Sequence, residues 1–184
     1  MKIGNQDLVK VLKNGGVVVM PTDTIYGIVG KAENAETVEK IYKIRNRPPD
    51  KPCIILIADA NELSKFGIVV LEAQKKILEK YWPGPVSIIL DCKDGSLSYL
   101  HRGTNTLAFR VPASESLQKL LKETGPLIAP SANPHGLPPA TNISEAKKYF
   151  GDQVNLYMDG GTISGSPSKI LRLHPDASVT MVRE

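Results

Sequence analysis

The sequence predicts an α/β domain built on one twisted, mixed sheet of parallel and antiparallel strands with flanking helices. Three observations lead there. Short, mostly apolar runs, such as Val17 to Met20, Cys53 to Ile57 and Leu107 to Val111, alternate with stretches of helical period. Two strand candidates follow one another directly near the C-terminal end, which suggests a mixed rather than a purely parallel sheet. The 184 residues are 41% hydrophobic and 23% charged, as expected of a globular chain with a sizeable core. A single domain over 1–184 is expected, with no second one.

Taken in order, Asn5 is expected to cap a helix whose Leu8, Val11 and Leu12 share a face, with Gly15 ending it. Val17 to Met20 is a buried strand between Gly15-Gly16 and Pro21, and Ile25 to Val29 continues extended. Asn34 opens a helix with Val38, Ile41, Tyr42 and Arg45 along one stripe. Cys53 to Ile57 is an apolar strand, followed by helices near Asn61 to Phe66 and Glu72 to Tyr81, the latter with Ile77, Leu78 and Tyr81 inward. Trp82-Pro83-Gly84-Pro85 stops that helix. Val86 to Leu90 is a strand, and 91–105, without a clear period, reads as a long loop. After the strand Leu107 to Val111, Ser114 caps a helix carrying Leu117, Leu120 and Leu121 and ending at Gly125. The remainder is a short strand at Leu127 to Ala129, a helix from Ser144 to Phe150 and a strand from Val154 to Met158. The loop Asp159 to Ser168 then leads to two closing strands, Lys169 to Leu173 and Ser178 to Val182.

Composition narrows the function classes. No apolar run approaches the roughly 20 residues that span a bilayer, and the first ten residues lack the apolar centre of a signal peptide, so a cytoplasmic protein without a membrane partner is expected. Cys53 and Cys92 form no CxxC, and neither a disulfide nor a zinc site is expected. GxxxxGK[ST], strand-borne GxGxxG and HExxH are all absent. His101, His135 and His174 have no metal-ligand spacing, and Ser131 lacks a nucleophile-elbow context, which argues against a covalent hydrolase.

Positive signals concentrate at strand ends. Thr22, Asp23 and Thr24 follow the first strand, where an open α/β sheet places its ligand crevice; a turn capped only by its own side chains is the alternative. Ser131-Ala132-Asn133 repeats the design after a later strand. Five Lys or Arg fall between Lys40 and Lys51, against Asp50 alone. Lys43, Arg45 and Arg47 suit the negative end of a helix dipole, yet the run continues past Pro48 and Pro49 to Lys51, beyond any helix. The glycine-rich 160–166 segment can cradle an anion or be plainly flexible. With a net charge of +4 and a pI near 9.0, these features point to a nucleotide-like anion and a small polar molecule.

PTDTIYG, KIRNRPPDKP, WPGP, TLAFRVP, PSANPHG and MDGG, in this order from about Asp7 to Arg183, resemble the YrdC/Sua5 family of threonylcarbamoyl-AMP synthases. The resemblance implies a sheet wrapped around a large positive cavity, in the short single-domain form. It implies condensation of L-threonine, bicarbonate and ATP, with Mg2+, into threonylcarbamoyl-AMP and pyrophosphate. Downstream proteins use the product to make N6-threonylcarbamoyladenosine at position 37 of tRNA. By matched positions, Thr22, Arg110, Ser131 and Ser168 contact threonine. Arg45, Arg47, Thr106, Asn133, Thr141 and Arg183 contact ATP, and Lys51 adds charge. No histidine falls at a matched site, and the group that deprotonates the threonine amine is left unassigned. The resemblance implies catalysis mainly by positioning and electrostatics, with Arg45, Arg47 and Lys51 supplying charge.

Departures from the family pattern are specific. Arg45-Asn46-Arg47 stands where lysine-x-arginine is usual, as in a related paralogous group; Ser114 stands where a histidine is frequent; and Gly165-Ser166-Pro167-Ser168-Lys169 replaces the usual GVEST. The alternative function is a YrdC-like paralogue that binds tRNA or double-stranded RNA without synthase activity. Aromatics are only 5% of the chain and do not interleave with the basic residues, so RNA contact would be phosphate-led. A carbamoyl-transfer module, of the kind found in hydrogenase maturation proteins, is a third reading.

Overall fold

The computed structural model describes residues 5–184. Helix α1 (Asn5–Lys13) buries Leu8 and Leu12 and ends at Gly15, whose φ of 76° is the left-handed conformation that glycine adopts without strain. The cap expected of the Asn5 side chain lies outside the described residues. Strands β1 (Val18–Pro21) and β2 (Tyr26–Lys31) form an antiparallel hairpin. Helix α2 (Ala35–Ile44) starts where the Asn34 side-chain Oδ1 accepts the Thr37 N–H at 3.0 Å, and it buries Val38, Ile41 and Tyr42. Strand β3 (Ile54–Leu56) leads to a 3-10 turn, Ala60–Phe66, capped by Asp59 rather than opened by Asn61, and then to α3 (Glu72–Tyr81). Of the residues expected to face inward from α3, Leu78 is buried and Ile77 and Tyr81 are half-buried against the core.

Beyond β4 (Val86–Asp91) the expected long loop is partly helical, with a 3-10 turn at Gly95–Leu97 and the four-residue α4 (Ser98–His101). Asp94 starts this segment by accepting the Ser96 N–H at 2.9 Å, and Leu100 and His101 anchor it in the interior. Elements this short show no measurable period, which is why the sequence hides them. Strand β5 (Thr106–Arg110), α5 (Glu115–Thr124) capped by Ser114, β6 (Leu127–Ile128) and α6 (Ile143–Phe150) lie close to their expected places. The strand expected over Val154 to Met158 contracts to β7 (Leu156–Tyr157), paired on one side only at the edge of the sheet. Strands β8 (Lys169–Leu173) and β9 (Val179–Arg183) close the chain.

Among the described residues the nine strands form one sheet in the order β7-β1-β2-β6-β3-β5-β4-β8-β9. The pairs β1/β7, β3/β5 and β4/β8 are parallel and the others antiparallel, so the sheet is mixed as expected. Helices cover both faces. Val18 and Met20 point toward α1 and α5 with Leu56, Leu117 and Leu121, whereas Val17 and Val19 join Ile41, Phe109 and Phe150 in the larger core. Both faces of β1 are therefore buried, which accounts for its unbroken apolar run. Cys53 and Cys92 are buried free thiols.

Candidate active site

Adjacent strands deliver the polar strand ends to one place. Ile28 N–H donates to the Pro130 carbonyl at 3.0 Å and Ala132 N–H to the Tyr26 carbonyl at 2.9 Å, knitting the Ser131-Ala132-Asn133 turn onto β2. Ser131 bridges Gly27 directly. A β-carbon on Gly27 would come within 3.2 Å of the Thr22 methyl, so glycine permits this close approach. Parallel pairing of β3 and β5 sets Arg110 opposite Leu56 at the same end of the sheet.

The result is a cleft of about 280 Å³. Its floor is a row of half-buried apolar side chains, Ile54, Ala108, Ile89 and Ile170, from the four neighbouring strands β3, β5, β4 and β8. Its polar wall carries Thr22, Thr24, Thr104, Thr106, Ser131 and Ser168. Arg47, Arg110 and Arg183 also line it, and among the described residues no carboxylate does.

Each polar group is pre-set by the protein. The Thr22 hydroxyl donates to the Ile25 carbonyl at 2.7 Å, and the Thr22 N–H donates to the same oxygen at 3.1 Å. Ile25 therefore closes the turn rather than opening the strand. The turn caps itself at Thr22 and faces the cleft, but Asp23 and Thr24 bond beyond it to Arg110 and Ala113, so the alternative of a turn bonded only to itself does not hold. Arg110 donates from Nη1 to the Thr24 hydroxyl at 3.2 Å and from Nη2 to Asp23 at 2.9 Å, while its buried Nε has no protein partner. Burial pulls the Arg110 guanidinium below its ordinary range, Asp23 opposes that shift, and Arg183 adds to it. The Ser168 hydroxyl shares a 2.8 Å bond with Ser87, and its carbonyl accepts from Arg183 Nη2 at 2.6 Å. Arg47 is braced by donating to the Lys51 and Pro52 carbonyls, each at 2.8 Å.

Seven of the residues singled out in the sequence line this cleft: Thr22, Arg47, Thr106, Arg110, Ser131, Ser168 and Arg183. Four do not. Arg45, 3% exposed, lies within the wall, donating from Nε to the Asn133 carbonyl at 2.8 Å and from Nη2 to Ser131 Oγ at 3.2 Å and Asn133 Oδ1 at 3.3 Å. Burial, and then Arg47, lower its guanidinium to about 10. Asn133 turns its amide onto the Leu137 carbonyl at 2.6 Å. The Thr141 hydroxyl donates to Glu145 at 3.0 Å on the exterior. Lys51 is exposed and offers its carbonyl to Arg47 and Tyr42.

Sequence reasoning missed two residues. Asp23 was visible only as part of a polar turn, and nothing in the sequence pairs it with Arg110. Tyr26 is fully buried, and its hydroxyl accepts the Gly160 N–H and donates to the Gly161 carbonyl, both at 2.8 Å, strapping the 159–168 segment across the threonine turn.

A mixed sheet whose strand ends enclose an apolar floor, hydroxyls and three arginines defines an α/β domain suited to a small molecule that is part flat and apolar, part anionic. The chain belongs to the Sua5/YciO/YrdC family, whose model, described as "Telomere recombination", matches residues 10–184. The threonylcarbamoyl-AMP synthase of Bacillus subtilis is 35% identical, over 92% of this chain and 50% of its own length. That of Idiomarina loihiensis is 33% identical, over 85% of this chain and 86% of its own. The chain thus spans about half the length of the first curated relatives it matches. Pyrococcus abyssi Sua5 in complex with L-threonine aligns with a TM-score of 0.84 at 29% identity, over 94% of this chain and 52% of that one. Escherichia coli YciO aligns at 0.83 and 29%, over 98% and 87%. No described helix is long and apolar enough to cross a membrane.

Proposed function

We propose that this chain, acting as a single domain, is a nucleotidyltransferase that makes threonylcarbamoyl-AMP. It condenses L-threonine, bicarbonate and ATP, releases pyrophosphate and supplies tRNA N6-threonylcarbamoyladenosine synthesis in the cytoplasm. The observation that carries the reading is the cleft itself, where Arg110 and the hydroxyls of Thr22, Ser131 and Ser168 meet the arginines 47 and 183 over an apolar floor. The relatives' names and the threonine complex of the P. abyssi protein support it. In this reading Arg110, Thr22, Ser131 and Ser168 hold threonine, while Arg47, Arg183 and Thr106 hold ATP. Arg45 and Asn133 shape the wall, and Thr141 and Lys51 act from outside the cleft. The neutral threonine amine and bicarbonate give the carbamate with loss of water; a carbamate oxygen then attacks the α-phosphorus, and the bond to the leaving pyrophosphate breaks. Fixed arginines and N–H donors offset the repulsion between two anions, so positioning and electrostatics carry the rate and no covalent protein intermediate is needed.

Among the described residues, no group of three His, Cys, Asp or Glu side chains could hold a metal ion. In this reading Mg2+ accompanies the nucleotide on its phosphates, as part of the substrate.

Pyrophosphate release from ATP and bicarbonate is expected to require threonine, with serine at least about 10-fold poorer, the lower end of what one methyl group discriminates. Release independent of the amino acid, or none, overturns the proposal. The withdrawal of Arg45 into the wall removes one expected ATP contact, and the RNA-binding paralogue is the reading to set against the synthase. It would show instead as tRNA or double-stranded RNA affinity falling steeply with salt, without pyrophosphate release.

Single changes separate the two ligands. Arg47→Ala is expected to weaken ATP more than threonine, and Thr22→Val the reverse. Valine also costs about 1 kcal/mol of stability, because the Ile25 carbonyl loses its hydroxyl donor. Calorimetry showing equal losses for both ligands in both variants would refute these roles.

A further inference from the structure

We infer that Asp23 is a positioning residue for the amino-acid carboxylate: it holds the Arg110 guanidinium in the pose from which Arg110 binds that group. The inference rests on the threonine reading above. Asp23 does not line the cleft, and its side chain is 7% exposed beside an Arg110 side chain that is 5% exposed. One carboxylate oxygen accepts from Arg110 Nη2 at 2.9 Å, and the other accepts the Ala113 N–H at 3.2 Å. Asp23 therefore grips both the end of β5 and the backbone just beyond it. Thr24 takes Nη1 at 3.2 Å. A guanidinium is planar, so fixing both terminal nitrogens fixes its plane and the direction of its Nε–H. That Nε is the donor left buried without a protein partner, in a residue that lines the cleft. A donor with this geometry suits a ligand carboxylate. An arginine immobilised before the ligand arrives loses no further rotamer freedom on binding.

Two physical effects of Asp23 have opposite signs. As a negative charge beside Arg110 it reduces the attraction for an anion, so removing it would tighten binding if charge alone decided. As a clamp it sets direction, so removing it would loosen binding. Asparagine at this position keeps the size but presents an NH2 group to one of the two donors, Arg110 Nη2 or Ala113 N–H, and one of those bonds must break.

Calorimetry on Asp23→Asn with L-threonine, with L-threoninol, which lacks the carboxylate, and with ATP decides between them. The dissociation constant for threonine is expected to rise about 30-fold, the worth of one charge-assisted hydrogen bond. Threoninol and ATP are expected to change less than about twofold. Unchanged or tighter threonine binding overturns the inference, and so do equal losses for threonine and threoninol, which mark a general structural effect. Should Asp23→Asn not fold, Asp23→Glu carries the same test, since its longer reach displaces Arg110; undiminished preference for threonine over threoninol overturns the inference. Absence of threonine binding by the wild type would overturn the synthase reading and this inference with it, whereas wild-type binding matched by the variant overturns this inference alone.

Discussion

Arg45→Ala is expected to cost the fold about 3 kcal/mol, read as a lowered midpoint in denaturant unfolding with an unchanged slope. The guanidinium is almost entirely enclosed and donates to a carbonyl, an amide oxygen and a hydroxyl of the Ser131–Asn133 turn. Deleting it leaves the Asn133 carbonyl without its side-chain donor and opens a cavity behind the cleft wall. Threonine and ATP binding should weaken together, because the wall that seats Ser131 slackens rather than one ligand contact disappearing. Arg45→Lys is expected to fall between the two, since one ammonium cannot reproduce a planar fork that spans several acceptors. Arg47→Ala is the contrast. It loses bonds only to the Lys51 and Pro52 carbonyls at the rim, and should change stability by about 1 kcal/mol while ATP binding falls. If Arg45→Ala unfolded at the wild-type midpoint and lost ATP selectively, the guanidinium would be a phosphate ligand after all.

The same residue shows where sequence reading stops. Arg45 was legible as part of a basic run and as the last residue of a helical stripe, and both descriptions are true of it. The stripe implied an inward direction and the charge implied an anion. What decides is a turn 88 positions away that supplies acceptors for the guanidinium, and no local pattern encodes that. The strand-end turns were legible because glycine, proline and small hydroxyls mark them, and because a sheet gathers such ends at one edge. Strand order was not: alternation and β-branching tell which face a residue takes, but not which strand lies beside it. Hence Thr22, Ser131 and Arg110 could be proposed individually. The ion pair between Asp23 and Arg110, which needs β1, β3 and β5 in their observed places, could not. Thr141 and Asn133 were assigned by matching alone, and the structure gives their side chains to Glu145 and Leu137.

Gly165→Ala should damage the site far out of proportion to one methyl group. A β-carbon there would overlap the Thr24 carbonyl oxygen, and the obstacle is backbone inside the turn that Thr22 closes. A flexible side chain could yield; this carbonyl can move only if the turn moves. Gly165 does not have a positive φ, so the demand is for space and not for conformation. Two relaxations are open. Either the threonine turn shifts, displacing Thr22 and Thr24 from the cleft, or the 159–168 segment lifts and the paired bonds between Tyr26 and Gly160-Gly161 break. Lifting also disturbs Ser168 at the far end of the segment, whose carbonyl seats Arg183. Overpacking of this kind costs about 2 kcal/mol, and threonine binding is expected to weaken by about 30-fold if that cost falls on the closed cleft. Gly95→Ala is the control, because nothing lies within 4 Å of its added carbon, and it should bind threonine as the wild type does. Hydrogen exchange at the Gly160 amide separates the two relaxations: fast exchange in Gly165→Ala means that the segment has lifted, and retained protection means that the turn has shifted beneath it. Wild-type threonine affinity in Gly165→Ala would show that the segment is not held against the turn in solution.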